Sequence, residues 1–405
     1  MHIETLFNTA EFKRFHFPGT IVWGRNARTC VAKLLADRAS VGLFIDVFFE
    51  KHDFVQSLMA SLGSRLRFTE ICATVPKAQS IKALSARVAM PDAVLSIGGG
   101  STADAAKALI AQWLYDDFDG VGMGARRGLS SRPDRKRPLL ISMPTTAGTG
   151  ADASRYYVTY DAKTNGKVHG KSWQLIADWI VLDPSLLLDS PRTLLVASAF
   201  DAFIHFFESF LCRSERSWFG DMLSLDGITR ILPALDRILG GSIDEEHFLE
   251  LLYAATIGGM AISNIRTGNI HEAAGALLEL SALTHPETLM VFFLPAYRQY
   301  RRAIAEREAL LMRRLGSDAP QLGLTNFESV IDWWDRAFDS VGLAQRISAG
   351  MAALGVPATD LKERIFRRVR DDRVWCTKES PVPLDDQMIL SFVDDALAPY
   401  GYATN

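Results

Sequence analysis

The chain has 405 residues, 48% hydrophobic and 22% charged, with a formal net charge of −3. That balance suits a globular protein of two or three domains and argues against a nucleic-acid partner. No apolar run reaches the roughly 18 residues of a membrane span, and the N-terminal MHIETLFNTAEFKRF lacks the apolar core of a signal peptide, so no membrane partner is expected. Cys30, Cys72, Cys212 and Cys376 show no CxxC pairing and read as reduced thiols of a cytoplasmic protein.

Taken in chain order, VGLFIDVFF (41–49) reads as a buried strand. AVLSIGGG (93–100) reads as a strand running into a glycine turn, and ADAAKALIAQWL after it as a helix. A charge-biased segment, ARRGLSSRPDRKRP (125–138), holds Arg126, Arg127, Arg132, Arg135, Lys136 and Arg137. It is either a solvated loop or a loop that steers an anionic substrate. PLLISMPTTAGTG (138–150) is another strand running into a loop of small residues, and WIVLD (179–183) is a further strand. Strand, turn, helix, strand implies an α/β domain with a mostly parallel, Rossmann-like sheet. After about residue 190 the apolar residues recur at helical spacing, as in TLLVASAFDAFIHFFESFL and LAQRISAGMAALG. The expected division is therefore an α/β domain over 1–188 and an all-helical C-terminal domain over 189–405.

GGGSTADAAK (98–107) follows a strand and opens a helix. Gly98, Gly99 and Gly100 let backbone amides approach a ligand, and the helix N-terminus favours a phosphate. The spacing is not GxGxxG, and glycine turns after strands are common. PTTAGTG (144–150) lies at the carboxyl end of another strand, where open α/β sheets bind ligands. Two such loops favour a dinucleotide over a structural turn. Asp46 ends VGLFID, and a carboxylate there can accept from a ribose and repel a 2′-phosphate, favouring NAD over NADP. An ordinary strand-ending aspartate is the equal alternative.

In the helical half, Asp201 and His205 are four apart in DAFIHFFESF, which puts both on one helix face. His271 and His285 come later, in HEAAGALLELSALTH. A single histidine is usually a satisfied core or surface residue, but one carboxylate with three of only eight histidines is the ligand set of a borderline divalent ion such as Zn²⁺ or Fe²⁺. On one straight helix His271 and His285 would sit about 21 Å apart, too far to share an ion. The helix must therefore end between them. Pro286 biases His285 away from helical dihedrals, and Thr284 or Ser281 can cap the next helix.

Together these residues resemble the iron-containing, group III alcohol dehydrogenase family. GGGSTADAAKAL is similar to its GGGSxxDxAK loop and MPTTAGTGADASR to its PTTAGTGSE segment. DPSLLLDSPR followed by FDAFIHFFESF is similar to its DPxL…P…D-A-x-x-H-x-x-E stretch, and the fourteen-residue step from His271 to His285 matches the spacing of its last two ligands. The resemblance covers roughly residues 15 to 300. It implies an active site between an N-terminal dinucleotide domain and a helical metal domain, and a homodimer. It also implies Fe²⁺, or Zn²⁺, on Asp201, His205, His271 and His285. NAD or NADP would contact Gly98, Gly99, Gly100, Ser101, Asp104, Thr145, Thr146 and Thr149. The implied chemistry is hydride transfer between a small alcohol or aldehyde and nicotinamide.

Several positions depart from the family pattern. Its HxxxHPLGA stretch carries a proton-relay histidine where this chain has Gly275, and its PHG is Thr284-His285-Pro286 here. ATGxDA is replaced by ASAFDA. GADASR, FDAFIHFFES and the missing relay histidine are closer to the 3-deoxy-octulosonate 8-oxidase branch, which acts on an acidic sugar. Arg155 and Arg266 are the candidates to pair with a substrate carboxylate or phosphate, with surface arginines as the alternative. Trp173, His169 and Lys171 in KVHGKSW receive no role. Two other readings stay open: an NAD- and metal-dependent sugar-phosphate cyclase of the dehydroquinate synthase type, and a non-catalytic nucleotide- and metal-binding relative. Ala106-Lys107 after Asp104, where such cyclases carry GGGxxxDxxGF-like loops, favours dehydrogenation.

Overall fold

A computed structural model describes residues 14–115, 136–163, 166–213, 216–371 and 380–402. The first half forms a six-stranded sheet, β1 (Thr20–Trp23), β2 (Val41–Asp46), β3 (Leu66–Cys72), β4 (Ala93–Gly98), β5 (Leu139–Pro144) and, after a hairpin, β8 (Trp179–Leu182). The spatial order is β1-β8-β5-β4-β2-β3, with every pairing parallel. β2 and β4 are buried along almost their whole length. A strand covered on both faces reads as an unbroken apolar run, which makes VGLFI and AVLSI legible in sequence. The edge strands are not. LRFTEIC in β3 and TIVW in β1 are half-exposed, and an edge needs no continuous apolar signal. The connecting helices are α1 (Cys30–Leu34), α2 (Asp53–Leu62), α3 (Ala78–Arg87) and α4 (Gly100–Leu114).

The chain moves from β2 outward to β3, then returns to place β4 on the other side of β2 and continues to β5. The carboxyl ends of β2 and β4 therefore flank the point where the winding reverses, the usual ligand crevice of such sheets. KVHGK, unassigned from sequence, is strand β7 (Lys167–Lys171), paired antiparallel with β6 (Tyr156–Tyr160). Of the charge-biased segment only residues 136–138 lie within the described residues; Arg126, Arg127, Arg132 and Arg135 lie outside them, as does Cys376. Arg137 is a bidentate partner of Asp178, at 2.8 and 2.5 Å. In DPSLLLDSP, buried Asp183 accepts from the Arg28 and Ser185 backbone N–H groups, both at 3.1 Å.

Beyond residue 190 every described element is helical: α5 (Arg192–Leu211), α6 (Trp218–Leu239), α7 (Glu245–Asn264), α8 (Asn269–Leu278), α9 (His285–Leu315), α10 (Asp318–Gln321), α11 (Phe327–Ser340), α12 (Leu343–Ala352), α13 (Ala358–Asp371) and α14 (Asp386–Leu397), with a closing 3₁₀ turn. Contacts divide the described chain into two compact units. One comprises 18–199 with 237–259; the other comprises the residues before 18, 200–236 and 260 onward. Among the described helices, α5 alone is long and apolar enough to cross a membrane, but 94% of that stretch is buried within the protein. It is a core helix with two stripes. Phe200, Phe203 and Phe207 meet Phe293 edge to face, with Trp334 and Phe338 alongside Phe200. Asp201, His205 and Glu208, at steps of four and three, line another stripe.

Candidate functional site

In the helical unit the four predicted ligands come together. His205 Nε2 lies 3.6 Å, His271 Nε2 3.7 Å and His285 Nε2 3.8 Å from one atom, Asp201 Oδ1. Four ligand atoms about 2.1 Å from a tetrahedral ion stand about 3.4 Å from one another, and each of the three nitrogens stands a few tenths of an ångström beyond that from Asp201 Oδ1. Asp201, His271 and His285 form the tightest group, with donor atoms mutually within 4.8 Å. The His205 ring stacks on that of His271 at 4.8 Å. Asp201 is 1% exposed, and its Oδ1 and His271 Nε2 are buried with no hydrogen-bond partner among the described residues. Two such atoms facing each other at 3.7 Å fit a cation held between them.

Local structure explains the convergence. α8 ends at Leu278 and α9 begins at His285, so the required break is present. Thr284 caps α9 in a capping box, its backbone N–H donating to Glu287 at 2.7 Å. Ser281 is not the cap. His285 is itself the first helical residue, with Pro286 in the first turn; the bias of a residue before proline against helical dihedrals is overridden here by the cap.

The electrostatics arise from burial and charge. Burial would raise the Asp201 pKa, but His205, then His271 and His285, hold its carboxyl well below the usual carboxylate range. Burial would lower the His271 pKa; the Glu208 carboxylate, then Asp201, instead raise it to about 9. In the sequence Glu208 stands only within a family motif and has no role of its own. Its carboxylate meets His271 Nδ1 at 2.5 Å. The signal lies in its i+7 spacing from Asp201.

In the sheet unit, the two glycine loops press on each other. A Cβ on Gly99 would stand 3.0 Å from Thr146 Oγ1, and one on Gly100 2.7 Å from Thr149 Cγ2. Thr145 N–H donates to the Gly98 carbonyl at 3.1 Å. The glycines thus let the two loops pack closely, a contact the sequence does not reveal. Asp46 is beside them: a Cβ on Gly98 would be 2.9 Å from the Asp46 Cβ. One Asp46 oxygen accepts the Phe48 N–H at 3.0 Å, and burial raises its pKa. Gly99 is the N-cap of α4 and offers no side chain, while Ser101 is half-buried in the first turn. Asp104 faces the hairpin, where its carboxylate accepts the Val158 N–H; burial lifts its pKa to about 7 against the opposing pull of Lys107. Lys107 is 1% exposed and donates to the carbonyls of Ala151, Ser154 and Tyr156.

The two candidate substrate arginines lie in different units. The Arg155 guanidinium is 4.7 Å from the Trp173 ring and 5.2 Å from that of Tyr156. Arg266 precedes α8 at φ 144°, a conformation that residues with a Cβ seldom adopt, and its carbonyl accepts from Ser209 Oγ at 3.0 Å. The relay position, Gly275, is buried within α8.

Comparison with known proteins identifies the family. The family model "Iron-containing alcohol dehydrogenase" matches residues 18–184, and "Fe-containing alcohol dehydrogenase family, C-terminal" matches residues 195–397. An alcohol dehydrogenase of Thermococcus barophilus is 24% identical over 78% of this chain and 83% of its own. A sulfoacetaldehyde reductase of Bilophila wadsworthia is 26% identical over 67% of this chain and 68% of its own. The solved sulfoacetaldehyde reductase of Bifidobacterium kashiwanohense, in complex with NAD⁺, superposes with a TM-score of 0.77 at 18% identity, covering 97% of this chain and 100% of that one. With both halves matched in order, the chain is an oxidoreductase that belongs to the iron-containing alcohol dehydrogenase family.

Proposed function

We propose that the protein is a metal-dependent, NAD(P)-linked alcohol dehydrogenase or aldehyde reductase acting on a small polyhydroxylated or acidic, sugar-like substrate. The convergence of three imidazole nitrogens on Asp201 Oδ1 carries this reading. Asp201, His205, His271 and His285 would hold Fe²⁺ or Zn²⁺. A divalent ion bound there supplies Lewis acidity toward an alcohol or carbonyl oxygen. A nicotinamide nucleotide supplies the hydride acceptor or donor.

The protein's own residues supply the rest. Asp201 is the only anion among the four ligands, so the bound ion retains net positive charge. Burial of Asp201 and His205 keeps water from competing at the centre. Gly98, Gly99, Gly100, Ser101, Thr145, Thr146 and Thr149 would cradle the dinucleotide at the start of α4, with Asp46 toward the ribose. Asp104 would act from the hairpin side of the same helix. Gly275 bears no side chain to move a proton, so in this reading the proton leaves by another group or by water. Arg155 or Arg266 would meet a substrate anion. The functional division would run 1–188 for the nucleotide and 189–405 for the metal, in a homodimer.

The acidic substrate class is supported by the sulfoacetaldehyde reductase relative, whose named substrate is an anion, and by the departures that resemble the octulosonate oxidase branch. The test is a panel of sugar acids, polyols and simple alcohols assayed by nicotinamide absorbance with metal-stripped and Fe²⁺- or Zn²⁺-restored protein. Metal-dependent turnover of an acidic or polyhydroxylated substrate is expected. Equal turnover with and without metal would overturn the reading.

A further inference from the structure

The ligand set leaves Glu208 out, yet both of its carboxylate oxygens are committed to the segment that carries His271. Oε1 accepts the Ile270 backbone N–H at 2.8 Å, and Oε2 meets His271 Nδ1 at 2.5 Å. Glu208 is 8% exposed. A Cβ on Gly268 would stand 2.8 Å from Oε1, so a side chain there would have to push the carboxylate aside. The neighbouring Ser209 holds the Arg266 carbonyl at 3.0 Å. From one helix, α5 thus contributes two candidate ligands and grips the stretch of chain that presents a third.

A neutral imidazole carries one proton. When that proton sits on Nδ1 and is donated in a hydrogen bond to a carboxylate, Nε2 keeps its lone pair. His271 Nε2 is the nitrogen that faces Asp201, at 3.7 Å. We propose that Glu208 is a positioning residue of the metal centre: it accepts the Nδ1–H of His271 in a hydrogen bond, fixes the ring's tautomer and angle, and so presents Nε2 to the ion. The proposal rests on the metal-centre reading above. Carboxylate partners of this kind change metal affinity by about 10–100-fold in other metalloproteins.

Glu208→Gln tests it, because the amide keeps the shape of the side chain but has one acceptor oxygen for two donors, Ile270 N–H and His271 Nδ1–H. Zn²⁺ titration of the metal-free protein against a chromophoric chelator should give about 10–100-fold weaker binding for Glu208→Gln. Ser209→Ala, which breaks a bond to the same segment but not the one to His271, should bind like the parent. A Glu208 that only caps α8 would lower stability without moving zinc affinity. On the unmutated, zinc-loaded protein, long-range ¹H–¹⁵N correlations should place the His271 proton on Nδ1. Parent-like affinity in Glu208→Gln, or an unprotonated Nδ1 in the loaded parent, overturns the proposal alone. Undiminished zinc affinity in His271→Ala overturns it together with the metal-centre reading.

Discussion

Asp46 closes β2 with its Cβ against Gly98, at the reversal of the sheet's winding. In the proposed reading its second oxygen faces a ribose, and its charge repels a 2′-phosphate. Asp46→Gly should therefore raise kcat/KM with NADP relative to NAD by about tenfold or more, measured in the same assay with each cofactor. An unchanged ratio would return Asp46 to the role of a turn cap for Phe48. At the proposed metal centre, His285→Ala removes one of the three nitrogens that surround Asp201 Oδ1. Metal content after dialysis should fall, and turnover should drop by more than about 100-fold. Both residues are identifiable in the sequence from position alone, Asp46 by ending an apolar run and His285 by its spacing from His271. Glu208 has the same helical periodicity but no chemistry of its own until its partner, His271, is placed beside it.

Elements explain why the loops need their particular residues. Gly150, in the second loop, has φ +56°, and a Cβ there would stand 2.3 Å from the Ala255 carbonyl and 2.5 Å from the Gly259 nitrogen. Both are backbone atoms of α7, which cannot swing aside as a side chain would. Gly150→Ala should cost more than about 2 kcal/mol, from the strained φ and the overlap together, read as a lower denaturation midpoint and weaker cofactor binding. The capping box at α9 is a second lever. Thr284→Ala removes the side chain that caps the helix beginning at His285 and should cost about 1 kcal/mol. It should also weaken metal binding if the cap holds the His285 ring in place. A run of T, A and G can be read as a ligand loop, but its packing on α7 joins residues far apart in the chain and has no local signature.

For the whole molecule, the clustered charges set a pH window. In the metal-free protein the folded His271 pKa, about 9, lies above the unfolded value of about 6.5. Its contribution to stability is complete below the unfolded value and is lost as pH rises through the folded one. The Asp201 carboxyl is held low, so its contribution is present above the unfolded value of about 3.9 and is lost as pH falls below it. Metal-free protein should therefore melt highest between about pH 4 and pH 6.5 as far as these two groups decide it. Metal binding must displace the His271 proton, so zinc affinity should climb about tenfold per pH unit below pH 9. Thermal melts and zinc titrations across that range check both, and a pH-independent affinity would contradict the raised imidazole.

Composition and apolar periodicity are enough to specify a parallel α/β half, a helical half and two loops of small residues at strand ends, because each depends on side chains close in the chain or on a period of two or 3.6 residues; the four residues found around Asp201 Oδ1 are legible through their residue types and the family resemblance. The edge strands β1 and β3, the β6–β7 hairpin, the fit of threonines against glycines and the grip of Glu208 on His271 emerge only in three dimensions. Each of those depends on which surfaces are covered, or on atoms brought together by folding from distant positions, and a linear pattern holds no record of either.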